Sequence, residues 1–144
     1  MAEPRSWTIL QAVQTRLATI RIAAGYRTEI GARVALEPAQ YPAGDAVALT
    51  LHTNIIKAGK GDTPSRPVRD LDFTAEASVP VTLADAHHQA HQIVADVQDA
   101  LRSPLTLAGL QALPLRWGDV AFLDRPEGLP VIAVQINLTA EYLA

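Results

Sequence analysis

Cysteine is missing from this chain of 144 residues, and aromatic side chains make up only 5% of it. Without cysteine there is no disulfide, no thiolate metal ligand and no cysteine nucleophile. No apolar run reaches the ~18 residues of a membrane span, and Gln11, Gln14 and Arg16 interrupt the region where a signal peptide would be apolar. The length of the chain predicts one domain over residues 1–144. The absences argue against membrane association and leave the compartment open, with the cytosol as the default.

The remaining composition is that of a globular protein. Hydrophobic residues make up 49% of the chain and charged residues 19%, a balance that excludes wholesale disorder. The net charge of −3 argues against a surface built to grip nucleic acid. Alanine dominates the apolar residues and buries little area per residue, so association between subunits would add burial that one subunit lacks.

Charge is segregated along the chain. Residues 1–36 contain five arginines against two glutamates, and residues 54–69 contain four basic residues against one aspartate, so each segment carries +3. Residues 70–103 contain six acids against one arginine and carry −5. This asymmetry is typical of a protein that docks against copies of itself or against a charged partner, although ordinary solvated surfaces give the same pattern.

The first third of the sequence predicts one helix and two strands. Apolar residues at helical spacing predict a helix over Trp7–Ala24, with Ser6 as its N-cap and Gly25 as its stop. Alternating residues then predict a strand over Arg27–Leu36. After a connector rich in turn residues, a second strand is predicted over Ala46–Thr53.

Residues 54–69 interrupt this alternation. Two glycines, two prolines and four basic residues predict a long mobile loop, and such loops inside compact domains are commonly functional. Gly59 and Lys60 resemble part of a phosphate-binding loop. That pattern needs Gly-Lys followed by Ser or Thr, however, and here Asp62 follows Gly61. The prolines of the segment also prevent the helix that such a loop must open into.

A third strand and a second helix follow. Strict alternation covers residues 70–79 and ends at Pro80. Residues 82–85 resemble a capping box, which starts a helix that runs to about Arg102. The apolar stripe of this helix comprises Ala86, Ala90, Ile93, Val97 and Leu101.

Two strands close the chain. Residues 105–113 form an apolar linker to which the pattern assigns no structure. The next strand covers residues 115–122 and changes phase at a predicted bulge, Gly118–Asp119. A turn at residues 125–128 leads to a final strand over residues 132–142.

The predicted element order is α-β-β-β-α-β-β. Every strand has one apolar face and one polar or small face, as in an antiparallel sheet that is covered on one side only. We therefore predict an α+β domain of two layers, a mainly antiparallel sheet of about five strands covered on one face by two helices. The uncovered face is expected to meet water or a partner, and it carries Asp72, Thr74, Glu76, Gln135, Asn137 and Thr139.

Three histidines on the second predicted helix are the strongest candidates for chemistry. His87 and His91 are four residues apart, so they share a helical face and have the spacing to hold one metal ion. His88 occupies the position where zinc proteases need a glutamate as general base. His52 and Asp85 are candidate third ligands that no pattern singles out. Histidines beside the core or at a subunit contact give the same spacing, and the role of the three stays open.

Other catalytic patterns are weaker. The four serines lack the Gly-x-Ser-x-Gly context of hydrolases. Acid pairs such as Asp70 with Asp72, or Asp96 with Asp99, fit solvated faces as well as they fit a general acid and base. The sequence therefore favours a binding or structural role, with no enzymatic activity, no cofactor and no metal site.

Several stretches of the sequence resemble a known family. The first helix ends in Ala23-Ala24-Gly25-Tyr26, and the strand Arg27–Val34 follows it. A long loop precedes the third strand, the second helix is rich in alanine and aspartate, and the closing strand ends in Gln135–Tyr142. In these features, and in element order over nearly its whole length, the chain resembles the tail terminator proteins of long-tailed, siphovirus-like bacteriophages.

The resemblance implies a structural virion protein without enzymatic activity. Members of that family are similar α+β domains that form a hexameric ring on the head-proximal end of the tail tube. The ring stops tube polymerisation and offers a surface to the connector of the head, and DNA passes through its lumen without being read. The implied partners are further copies of the chain, the tail tube protein and the head–tail connector protein. The implied location is the neck region of the virion tail, after assembly in the host cytoplasm.

A ring needs two complementary lateral surfaces on every subunit. The opposite charges of segments 1–36 and 70–103 predict that Arg16 and Arg21 lie near Asp96 or Asp99 of a neighbour. The loop at 54–69 is expected to become ordered against the tube or the next subunit. The candidate interface residues are therefore Arg16, Arg21, Lys57, Lys60, Arg66, Arg69, Asp96 and Asp99.

Three other functions remain open from the sequence. The chain could be another phage neck component, such as a head–tail adaptor or a tail completion protein. It could be a metal-dependent hydrolase that uses His87 and His91. It could also be a small oligomeric domain that binds a ligand.

Overall fold

The computed structural model describes residues 3–36, 47–81, 84–105, 113–123 and 131–143. In these residues, two α-helices pack on one face of a five-stranded sheet. The elements are α1 (Arg5–Leu17), β1 (Val34–Ala35), β2 (Ala48–Ala58), β3 (Val68–Pro80), α2 (Ala86–Ala100), β4 (Leu115–Leu123) and β5 (Val131–Leu143). The predicted α+β class and the order α-β-β-β-α-β-β are confirmed.

The sheet has the strand order β1-β2-β3-β5-β4. Its neighbouring strands are antiparallel except for β1, which pairs in parallel with β2 at Val34 and Leu49. The sheet is therefore mixed, with one short parallel strand at its edge. Across the part of the chain that the structure describes, no helix has the length and hydropathy needed to cross a bilayer.

The core lies between the inner face of the sheet and the two helices. Phe73 sits near its centre on β3, fully buried, and pairs across the sheet with Leu138. From the helices, α1 buries residues such as Leu17, and α2 buries Ile93 and Val97. At roughly 25 cal/mol per Å² of apolar surface, burial of this inner face is the main source of stability for the domain.

The first helix is shorter than its apolar periodicity predicts. It ends at Leu17 rather than at Ala24, because the chain turns after this residue. Beyond the turn, the Ile20 carbonyl accepts a hydrogen bond from Gly31 N at 3.1 Å instead of one from within a helix. Ile20 stays buried although it lies beyond the helix. The prediction that Gly25 stops this helix is therefore wrong. Gly25, with a φ of 98°, instead caps a separate 3-10 turn over Ile22–Ala24.

The start of α1 also differs from the prediction. The helix begins at Arg5, with Pro4 in the N-cap position, and no side chain caps it. Ser6 therefore lies inside the first turn and is not the N-cap. Proline suits the start of a helix because its missing N–H would have no partner there.

The strand predicted over Arg27–Leu36 is wrong for most of its length. Residues Ile30–Ala32 form a 3-10 turn, and only Val34–Ala35 pair as a strand. Tertiary contacts override the alternating pattern here, because the backbones of Arg27 and Thr28 bind a carboxylate on α2 instead of a neighbouring strand.

The loop predicted at 54–69 is shorter in the structure. The strand β2 continues to Ala58 and β3 starts at Val68, so the connection comprises residues 59–67. A register shift between Thr53 and Ile55 inserts one extra residue in β2. This residue breaks the alternation in the sequence, so the pattern predicts that the strand ends at Thr53. Residues 54–69 therefore form the end of a long hairpin, which we call the hairpin arm.

The remaining elements follow the sequence closely. The alternation of β3 and the five stripe residues of α2 are confirmed, since the apolar positions are buried. The bulge predicted at Gly118–Asp119 is confirmed by a register shift between Trp117 and Val120. The connector at 37–45, Thr82 and Leu83 of the capping box, and the turn at 125–128 lie outside the described residues.

Candidate assembly surfaces

The face of the sheet that points away from the helices carries rows of polar side chains. Side chains alternate along β3 and β5, so one set points into the core and the other away from the helices. Neighbouring pairs on the outward side are Asp72 with Thr139, Thr74 with Asn137, and Glu76 with Gln135. We call this surface the open face.

A chain of hydrogen bonds crosses the open face. Asn54 Nδ2 donates to Thr74 Oγ1 at 2.6 Å, and Thr74 Oγ1 donates to Asn137 Oδ1 at 2.8 Å. Asn137 Nδ2 then donates to the backbone carbonyl of Asp119 at 3.0 Å. Four strands are therefore tied together by side chains as well as by the backbone ladder, which fixes the shape of this surface.

Asp72 anchors a second group of contacts on the open face. Thr139 Oγ1 donates to its carboxylate at 2.6 Å, and Lys57 Nζ lies 2.9 Å from its other oxygen. The hydrogen bond from Thr139, and after it the bond and charge of Lys57, hold the pKa of Asp72 below its usual value.

This shift makes part of the stability depend on pH. Because the folded-state pKa of Asp72 is lower than the unfolded value of 3.8, its contribution is complete above that value and is lost as the pH falls through the folded-state pKa. We expect Asp72→Asn to weaken the loss of stability between about pH 5 and pH 2. Urea denaturation of both proteins across this range tests the expectation, and parallel pH profiles would contradict it.

The open face has more acidic than basic side chains among its described residues. Asp70 has Arg116 Nη2 at 3.4 Å from its Oδ2, while its Oδ1 is buried without a hydrogen-bond partner among the described residues. Glu76 and Glu141 form no ion pair within the described ranges. Four acids on this face therefore meet two cations, Lys57 and Arg116.

The hairpin arm carries the opposite charge. Inside it, Asp62 accepts a hydrogen bond from Val68 N at 2.8 Å and lies 3.7 Å from Arg69, which fixes the turn. Lys60 and Arg66 are exposed and have no ion pair in the residues that the structure describes. Two large apolar side chains are also exposed on the arm, Ile55 at 50% and Ile56 at 43%.

Arg16, predicted at a subunit interface, is used within the chain. Its guanidinium donates to the carbonyls of Ala100 and Ser103, both at 3.1 Å, and to that of Pro104 at 3.2 Å. These carbonyls lie in the last residue of α2 or just beyond it, where backbone acceptors have no helical partner and a cation is favourable. Arg16 therefore joins α1 to the end of α2.

Asp96 is also used within the chain. Its side chain is fully buried and accepts hydrogen bonds from Thr28 N at 2.8 Å and from Thr28 Oγ1 at 2.7 Å. Arg27 donates from its backbone at 3.2 Å and from Nη1 at 3.0 Å. A fully buried carboxylate with these partners has no surface to offer a neighbouring subunit. We call this group, Arg27, Thr28 and Asp96, the carboxylate clamp.

The remaining predicted interface residues are accessible. Arg27 Nη1 lies 2.9 Å from Asp99, and Arg102 binds the other oxygen of Asp99. The hydrogen bonds that Arg27 donates to Asp99 and Asp96 raise the pKa of Arg27 above its ordinary value. Arg21 lies 3.6 Å from Glu29, with both side chains about half exposed. Surface pairs of this kind contribute little stability, so these groups stay available to a partner.

The histidines of α2 pack against an aromatic side chain. The ring of His91 stacks on Phe122 of β4 with centroids 4.5 Å apart, and the ring of His87 lies edge-on to His91 at 4.8 Å. His52 pairs with Thr74 and lies on the opposite face of the sheet, so it cannot join them. Among the described residues, no group of three or more His, Asp or Glu side chains is arranged to hold a metal ion.

The sequence identified the open face but not its network. Asn54 was assigned to a loop because the register shift after Thr53 interrupts the alternation of β2, so its bond to Thr74 was not predicted. The alternation of polar residues on β3 and β5 was the signal available for Thr74 and Asn137. No signal in the sequence linked Arg27 to Asp96, which are 69 residues apart.

Comparison with solved structures finds a related fold in a virus-like particle. A chain in the virion of a native gene transfer agent particle superimposes with a TM-score of 0.59 over 93% of each chain, at 16% sequence identity. At that identity the likeness shows a shared fold. No protein-family model and no curated protein sequence matches the chain.

Proposed function

We propose that this chain is a structural, non-enzymatic protein of a phage-like virion. The observation that carries the proposal is a fold shared over 93% of its length with a chain of a gene transfer agent virion. The open face and the exposed hairpin arm support it, since a surface built from strands and a projecting hairpin suit contacts with other proteins.

Within that class, we propose the role of a tail terminator. A ring of six copies would cap the head-proximal end of the tail tube, stop its polymerisation and offer the opposite side to the head connector, while DNA passes through the lumen unread. The chain would act in the neck of the tail after assembly in the host cytoplasm. Its sequence resemblance to that family and its excess of acid, which does not retain DNA, support this role.

The subunit offers the two different lateral surfaces that such a ring requires. A head-to-tail contact between unlike surfaces repeats until it closes. The proposed interface retains the accessible candidates, which are Arg21, Lys57, Lys60, Arg66, Arg69 and Asp99. Arg16 and Asp96 support it indirectly, by holding the subunit together.

Experiments with purified protein test both the ring and the tail terminator role. We expect electron micrographs to show six-fold rings with an open lumen, and rings added to polymerising tail tube protein to shorten the tubes and bind one end. Rings that bind neither tube end nor connector would contradict the terminator role. Particles that remain compact monomers under all salt conditions would contradict the ring itself.

A second position in the neck is the main alternative. A fold shared with a chain of a gene transfer agent virion fits more than one position in the neck. A head–tail adaptor or tail completion protein would bind the connector and leave tube length unchanged. Measuring tube length and connector binding in parallel therefore separates the two roles.

A further inference from the structure

We propose that the hairpin arm of one copy docks on the open face of the next copy, with the cations Lys60 and Arg66 placed against Glu76. The contact would be the lateral joint of the ring, so this inference rests on the proposed function. It names the two surfaces that meet and the charges that select them.

The cations at the end of the arm form no ion pair with the described residues of their own subunit. Lys57 and Arg69 are neutralised by Asp72 and Asp62, respectively. Lys60 and Arg66, at the tip, form no ion pair with any described residue. The tip is therefore a positively charged surface on which carboxylates of another molecule can form ion pairs.

The open face supplies the acid. It carries four carboxylates against two cations, and Glu76 lies on the central strand β3 without an ion pair in the described residues. The hydrogen-bonded network from Asn54 to Asp119 holds the surrounding surface in one shape. A docking partner would therefore meet a preformed surface and lose little entropy in ordering it.

The arm cannot neutralise Glu76 of its own subunit. Glu76 lies eight residues beyond Val68, where β3 begins, which is about 26 Å along an extended strand. The tip extends in the opposite direction from that point, so an ion pair between Lys60 and Glu76 requires two copies. Because the tip of the arm and the surface around Glu76 are different parts of each subunit, the contact is head-to-tail and continues around a ring until it closes.

Apolar area adds to this charge complementarity. Ile55 is 50% exposed and pairs with Asp72, so its side chain lies on the same side of the sheet as the open face. When the arm of one copy docks on the open face of the next, it would cover Ile55 of that next copy. Charge would then select the register of the contact, while buried apolar area stabilises it.

Charge reversal tests the joint directly. We expect Glu76→Lys alone, and Lys60→Glu with Arg66→Glu together, each to weaken assembly at least tenfold in mass photometry at 0.15 M salt. Combining all three substitutions in one chain should restore rings. Mixing the two defective proteins should also restore them, because each then supplies the surface that the other has lost, and this result requires both to be folded.

A matched control reverses charge elsewhere. Arg5→Glu with Arg33→Glu changes two exposed cations that form no ion pair in the described residues, and it should leave assembly unchanged. Rings that persist in both test variants would overturn the docking model while leaving the proposed function intact. Rings that form but no longer bind tube ends would assign the arm to the tube protein instead. A wild-type chain that never assembles would remove the joint and the ring together.

Discussion

Replacing Asp96 by alanine is expected to lower the free energy of unfolding by about 3 kcal/mol. The carboxylate is fully buried and accepts hydrogen bonds from the backbone and side chains of Arg27 and Thr28. Alanine would leave these donors without an acceptor, and Thr28 is itself only 4% exposed, so water cannot replace the lost partner fully. The carboxylate clamp would then no longer tie the segment after α1 to α2.

Two further variants make this expectation specific. Asp96→Asn keeps the shape of the side chain but turns an NH2 group towards donors, so it should cost nearly as much as alanine. Asp99→Ala removes a partly exposed carboxylate that shares Arg27, and it should cost less than about 1 kcal/mol. Urea denaturation at one fixed protein concentration compares all three, because assembly would make stability depend on concentration. Equal losses for Asp96→Ala and Asp99→Ala would refute the clamp.

Adding a single methyl group at Gly31 is expected to be nearly as damaging. A Cβ at this position would lie 2.6 Å from the carbonyl oxygen of Ile20, 2.7 Å from that of Leu17 and 2.8 Å from that of Ala18. All three are backbone atoms, so no side-chain rotation relieves the overlap. We expect Gly31→Ala to cost about 3 kcal/mol, at the upper end of overpacking effects, and to separate the 3-10 turn from the end of α1.

Gly25→Ala is the matched control for this prediction. Gly25 has open space around its Cβ position but a φ of 98°, which disfavours any residue with a side chain. Its substitution should cost only about 1 kcal/mol. The same denaturation experiment measures both variants. If Gly31→Ala proves as mild as Gly25→Ala, the close packing of the 3-10 turn against α1 is not important for stability.

The sequence predicted the elements that depend on one periodic pattern. Alternation along β3 and β5 and the apolar stripe of α2 correctly gave their positions and buried faces, because each pattern reports which side of an element faces the core. The phase change at Gly118–Asp119 likewise gave the bulge in β4. The same reasoning failed at 27–36, where a 3-10 turn happens to carry alternating residues, and at 54–58, where a bulge interrupts a continuous strand.

The charged residues show the limit of sequence reasoning about the interface. Opposite charges in segments 1–36 and 70–103 predicted an attraction, and the structure contains it as the pair Arg27 and Asp96 inside one subunit. Sequence records that two segments have complementary charge, but not whether they meet within one chain or between two. That choice depends on the distance between the segments after folding.

Sequence by itself determined the fold class, the order of the elements and the presence of one hydrophilic sheet face, because side-chain periodicity is set locally by backbone geometry. Only the tertiary structure decided which charges form ion pairs among the described residues. Folding brings Arg16 to the end of α2 and buries Asp96 beneath Arg27, while it leaves Lys60 and Arg66 at the tip of a hairpin far from Glu76. Long-range packing of this kind depends on the contacts of the whole chain, which no local pattern records.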